Sequence, residues 1–157
     1  MNGAQLHLTV VHLPVVGVLA ALVLLLVAVL RDSESLVRVA LGFLVIGTVC
    51  AVPAYFSGPE ANEVAESFAT IDPHLVEQHA LIGRAAFFAA GILAAVALKI
   101  WWDSMSESPT NKGTRLGLLL ATFLIAWLMA WTAHLGGLIR HPEIRDPQWL
   151  LFPELPR

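Results

Sequence analysis

From Leu8 to Leu30 the chain carries no Asp, Glu, Lys or Arg. About 20 mostly apolar residues suffice for a helix to cross a bilayer core of roughly 30 Å. Such a run leaves few options, because a backbone in lipid must satisfy its own polar groups, as a helix does. Three more runs follow: Val39 to Phe56, Leu75 to Trp102 (containing Arg84 and Lys99), and Leu116 to Leu138. Polar or Gly/Pro-rich segments separate them. The first is Arg31-Asp32-Ser33-Glu34-Ser35, and Ser57-Gly58-Pro59 is read as closing the second helix. The expected fold is all-α, an integral membrane four-helix bundle with up-down-up-down topology in a single domain, residues 1–157. The Pro59 to His74 connection is acidic and partly helical around Ala61 to Phe68.

Composition supports this. Charged residues make up 13% of the chain, about half of what an ordinary soluble domain carries, so lipid rather than a soluble core must take the apolar surface. A net charge of −3 offers no basic field for nucleic acid. The only cysteine is Cys50, which excludes an internal disulfide, a c-type haem attachment motif and any cysteine-based iron–sulfur or zinc pattern. Met1 to Gln5 contain no basic residue and the first apolar run is too long for a signal h-region, so it reads as a span rather than a cleaved signal.

Orientation follows from basic residues. Arg31 and Arg38 flank the first linker, and Lys99, Lys112 and Arg115 flank the third. The second, Pro59 to His74, has no Lys or Arg but holds Glu60, Glu63, Glu66 and Asp72. The positive-inside rule places linkers one and three in the cytoplasm and both termini outside, periplasmic for a bacterial inner membrane. Arg140, Arg145 and Arg157 in the C-terminal tail run against that bias.

With this topology all six histidines gather at the outer end: His7 and His12 on helix 1, His74 and His79 at helix 3, His134 and His141 at helix 4. His12, His79 and His134 fall inside or at the edge of apolar runs, where ionisable side chains are costly and mark candidate sites. At about 100° per residue, His79 shares a face with Gly83, Ala86, Ala90, Ala94 and Ala97, leaving room for a flat macrocycle. The competing reading is plain helix packing through small residues. Trp127 and Trp131 share a face with His134 as pocket walls or interfacial anchors. Arg84 is read as a buried cation needing an anion, either a haem propionate or a carboxylate of the acidic loop. His74 and His141 read as solvated loop residues.

Bundle cores hold haem or metal on side chains of facing helices, and haem iron takes one or two imidazoles. No HExxH or Glu-x-x-His motif is present, so a zinc protease or di-iron site is not indicated. The expected cofactor is non-covalent haem b, with two of His12, His79 and His134 on the iron and Arg84 and His7 as further cofactor-binding residues.

Several strings then resemble a known family: His7-Leu8-Thr9-Val10-Val11-His12-Leu13-Pro14, Ser57-Gly58, His79-Ala80-Leu81-Ile82-Gly83 and Thr132-Ala133-His134-Leu135-Gly136-Gly137. They occur in the order seen in a bacterial family of predicted four-helix membrane proteins of unknown function, the domain of unknown function 2231 type. Its members show H-P-x-x-V-H-F-P, T-G, H-x-x-x-G and T-G-H-x-G-G. Here Leu8 stands for the family Pro, Leu13 for Phe and Ala133 for Gly. The resemblance spans nearly the whole chain, and relatives fused to cytochrome c or Rieske domains imply a place in electron transfer.

The resulting expectation is a haem b electron-transfer subunit in the inner membrane, working near the outer face with membrane or periplasmic redox subunits. It would be a carrier rather than a catalyst, since no nucleophile–base pair or phosphate loop is visible. Two alternatives are a cofactor-free structural subunit of a larger membrane complex and a histidine-based transition-metal site.

Overall fold

The computed structural model describes residues 2–68, 71–106, 109–141 and 144. Five helices build it: α1 (Gly3–Val10), α2 (His12–Arg31), α3 (Glu34–Phe68), α4 (Pro73–Ser106) and α5 (Lys112–Arg140). α1 and α2 form one span. Val11 between them keeps helical dihedrals, φ −60° and ψ −25°, and Pro14 cannot donate to the carbonyl of Val10, which loosens the ladder there. The protein is thus an all-α bundle of four helices, each long and apolar enough to cross a membrane.

Each of the four spans starts on a residue suited to cap it, whereas α2 follows Val11 with no side-chain cap. Asn2 Oδ1 accepts from Gln5 N at 2.9 Å while the Gln5 side chain returns to Asn2 N, a reciprocal capping box. Asp72 Oδ1 accepts from His74 N ahead of Pro73, and Asn111 Oδ1 from Thr114 N. α2 ends at Asp32, φ 51°, a left-handed position that Asp tolerates better than most residues.

The second helix overruns its expected stop. α3 passes Ser57-Gly58-Pro59 and ends at Phe68, with Pro53 and Pro59 inside it. A proline removes one donor and crowds the carbonyl four residues earlier. Here Ser57 Oγ donates to Pro53 O at 2.7 Å, and the polar segment beyond Pro59 continues as helix outside the apolar run. Glu60 on this overhang accepts from Gly3 N at 2.8 Å, placing a carboxylate on the first turn of α1, where its charge suits the helix dipole.

Packing forms a ring: α2 lies against α3 and α5, and α4 against α3 and α5. Spans one and three are therefore diagonal. The inward seam alternates three- and four-residue steps, the period of interlocking helices. It runs Val18, Ala21, Leu25, Ala28 on α2 and Ala86, Ala90, Leu93, Ala97 on α4, all buried. α2 and α3 approach most closely at Gly17 and Gly47, where a Cβ on Gly17 would lie 2.7 Å from Gly47 Cα. This is the use membrane helices make of small residues. The outward faces, including Val16, Val23, Ile46 and Ile92, are exposed hydrophobics.

Candidate functional site

The end of the bundle that holds the histidines divides them into two groups. Continuing the α2 seam back by three- and four-residue steps gives Pro14, Val11 and His7. Continuing the α4 seam gives Gly83 and His79. These two imidazoles turn inward and are half-buried, whereas His12, His74, His134 and His141 are exposed. Of the three intramembrane histidines expected to converge, the structure turns only His79 inward. His134 lies on the outer face of α5, its ring centroid 5.5 Å from that of Trp131, which in turn stacks on Trp127 at 6.3 Å.

His7 and His79 are held by the same device. His7 Nδ1 lies 2.9 Å from Ala54 O on α3, and His79 Nδ1 lies 2.9 Å from Thr132 O on α5. A carbonyl only accepts, so each Nδ1 carries the proton and donates. In the neutral ring that leaves Nε2 as a free lone pair. In each facing helix the residue four positions after the accepting carbonyl is a glycine: Gly58 after Ala54, Gly136 after Thr132. A helical carbonyl points toward residue i+4, and a side chain there would screen it from an outside donor. Glycine leaves it open. The fit is tight at Gly136, where a Cβ would meet His79 Cε1 at 3.2 Å, and looser at Gly58, where it would meet His7 Cε1 at 3.9 Å. Ser57 Oγ, 3.2 Å from His7 Nδ1, joins the first clasp. Two helix pairs thus carry one clasp each, on diagonal helices at one end of the bundle.

The small-residue stripe below His79 is occupied by protein. Ala86, Ala90, Ala94 and Ala97 are buried in the helix packing, and Gly83 sits against Thr132. Arg84 is exposed rather than buried and has no ion-pair partner among the described residues. Of its expected partners Glu63, Glu66 and Asp72, none pairs with it: Glu66 accepts from Asn62 Nδ2 at 2.7 Å and Asp72 from His74 N at 2.9 Å.

The other end is closed by a network that charge counting did not reveal. Arg115, 5% exposed, places Nη1 2.5 Å from Asp32 Oδ1 and Nη2 3.1 Å from Glu34 Oε2. Glu34 also accepts from Thr110 N and Oγ1, and Arg38 donates to Ser104 O at 2.7 Å. Two of the basic residues on which the expected orientation rests, Arg38 and Arg115, therefore also tie the first and third linkers together.

The donor set can be tested against the cofactors expected. Two imidazoles with anchored Nδ1 and, among the described residues, no hydrogen bond at Nε2 suit haem iron, which needs only one or two. A bare transition-metal ion needs more, and among the described residues no three His, Cys, Asp or Glu side chains come together. Fold and composition define a class, the multi-pass all-α membrane proteins. Beyond that class, the chain matches no family model, no curated protein and no solved structure.

Proposed function

We propose that this protein is a haem b-binding electron-transfer subunit of a bacterial inner membrane, in which His7 and His79, near the periplasmic face, would hold the haem. The observation that carries the reading is the duplicated clasp. Both imidazoles are inward, both are anchored through Nδ1 to a carbonyl, and among the described residues both leave Nε2 without a hydrogen bond. Metal-ligating histidines are typically oriented in this way by the hydrogen bond on their other nitrogen. Bound haem would supply a one-electron couple; the chain's own residues orient the two imidazoles through their Nδ1 bonds. The resemblance to the family with fused redox domains rests on the same motifs, and Gly58 and Gly136 within them are the glycines that admit the imidazoles. Partners would be other membrane or periplasmic redox subunits.

The test is a spectrum. Protein purified from haem-sufficient cells is expected to show a sharp Soret band and a reduced α-band, with haem extractable by acid-acetone. His79→Ala and His7→Ala should each abolish the low-spin spectrum, while His134→Ala and His141→Ala should leave it unchanged. Folded but colourless wild-type protein sinks the reading.

One observation favours a second reading, a cofactor-free structural subunit. The clasps already satisfy both imidazole donors, and the stripe below His79 is filled by helix packing. On that reading the histidine variants lose stability and nothing else.

A further inference from the structure

Between α3 and α4, at mid-height, the bundle leaves a cavity of about 450 Å³, within the roughly 300–1,000 Å³ typical of small-ligand sites. Its lining includes Thr48, Val52, Phe87, Phe88, Gly91 and Ala95. Thr48 is the one polar residue of that lining, and its hydroxyl already donates to Leu44 O at 2.8 Å. The groove therefore offers an occupant no spare hydrogen-bond donor. Val52, Phe88 and Ile92 along its rim are exposed, so it opens sideways, toward lipid. A Cβ on Gly91 would meet nothing within 4 Å. At the outer end Phe87 stacks on Tyr55, centroids 4.4 Å apart.

Directly in line with the groove stands Arg84. At about 100° per residue, positions 84, 88, 91 and 95 lie within a narrow strip of one helix face. Helical side chains tilt toward the N-terminus of their helix, so Arg84 leans away from the groove and toward the outer end. Its depth matches that direction. α4 has 34 residues, about 51 Å at roughly 1.5 Å each, against a bilayer core of about 30 Å. A core centred on the helix begins about 10 Å from Pro73, and Arg84 stands about 16 Å from it. The guanidinium is thus within snorkelling reach of the headgroups. An exposed cation in line with a hydrocarbon groove, with no carboxylate partner among the described residues, lacks an anion that the protein does not provide.

We infer that the α3–α4 groove is a lipid site, holding one acyl chain of an anionic phospholipid whose phosphate pairs with Arg84. The charge complementarity is that of a basic residue at an anionic membrane surface, worth about 1 kcal/mol, or about fivefold in affinity. Arg84 and Gly91 both lie on the lipid-facing surface, so substitutions there leave the core packing in place.

The experiment is native mass spectrometry of the intact chain after exchange into phosphatidylglycerol or phosphatidylcholine of identical acyl chains. Wild type is expected to retain one phosphatidylglycerol about fivefold more than phosphatidylcholine. Arg84→Gln should bring that ratio to about one, and Arg84→Lys should keep most of it. Gly91→Leu, which fills the groove, should reduce retention of both lipids with Arg84 still present. Equal retention of the two lipids by wild type, an unchanged preference in Arg84→Gln, or undiminished retention in Gly91→Leu would each overturn the inference. None of these readouts depends on whether the protein binds haem.

Discussion

Gly136 and Gly137 are neighbours in sequence but meet different surroundings, so alanine at each separates helix propensity from the His79 clasp. Gly→Ala inside a helix gains about 0.8–1.0 kcal/mol, and at Gly137, where a Cβ meets nothing within 4 Å, nothing opposes the gain. At Gly136 the same Cβ would lie 3.2 Å from His79 Cε1 and 3.4 Å from Nδ1, so the imidazole must retreat by a few tenths of an ångström. That stretches the 2.9 Å bond to Thr132 O. Hydrogen bonds between membrane helices average about 0.6 kcal/mol, with a maximum near 1.7, so losing this one cancels most of the propensity gain. We predict that Gly137→Ala raises stability by about 1 kcal/mol. Gly136→Ala should change it by less than about 0.5 kcal/mol, and Gly136→Leu, which displaces the ring outright, should cost about 1–3 kcal/mol. The assay is reversible unfolding in mixed micelles followed by circular dichroism, repeated in a His79→Ala background. There the difference between the two alanine variants should vanish, since the coupling is the part that double-mutant cycles isolate. Equal stabilisation by Gly136→Ala and Gly137→Ala in the wild-type background would refute the clasp.

Gly17→Ala should destabilise by about 1–3 kcal/mol in the same assay, because its Cβ would press on the Gly47 backbone at 2.7 Å; Gly42→Ala, with open space around it, should not. Thr122 is fully buried and its hydroxyl has no hydrogen-bond partner among the described residues, so the isosteric Thr122→Val should stabilise by up to about 1 kcal/mol. Arg115→Met should cost about 1–2 kcal/mol by unfolding. That is less than the roughly 3–5 kcal/mol of a fully buried pair, because the Asp32 side chain is 65% exposed and screened by water. Reporter fusions at Thr110 are predicted to report the cytoplasm and fusions at Asp72 the periplasm; the reverse pattern would refute the orientation drawn from Arg31, Arg38, Lys112 and Arg115.

The four spans were legible because lipid imposes a crude requirement, length and low charge, that a window of residues can satisfy by itself. Helix ends were less legible. Ser57-Gly58-Pro59 punctuates a helix in water, yet α3 continues to Phe68, since Ser57 bonds back to Pro53 and Glu60 engages α1. The placement of the histidines was half legible. Depth selected His12, His79 and His134, but depth says nothing about which way a side chain points. A finer signal was present: the three- and four-residue seam of Val18, Ala21, Leu25 and Ala28 reaches His7 when extended and misses His12. The α4 seam reaches His79 in the same way. On α5, the buried Leu118, Thr122, Ile125 and Met129 extend to Thr132 and Gly136 and step past His134. What no seam could supply is the backbone partner. The carbonyls of Ala54 and Thr132 carry no sequence label, and only the glycine four residues beyond each hints that something approaches. Where an inward histidine on one membrane helix faces an X-x-x-x-Gly stretch on the next, a carbonyl clasp is the arrangement to test before a metal, because the imidazole meets its first hydrogen-bond requirement there without any ion.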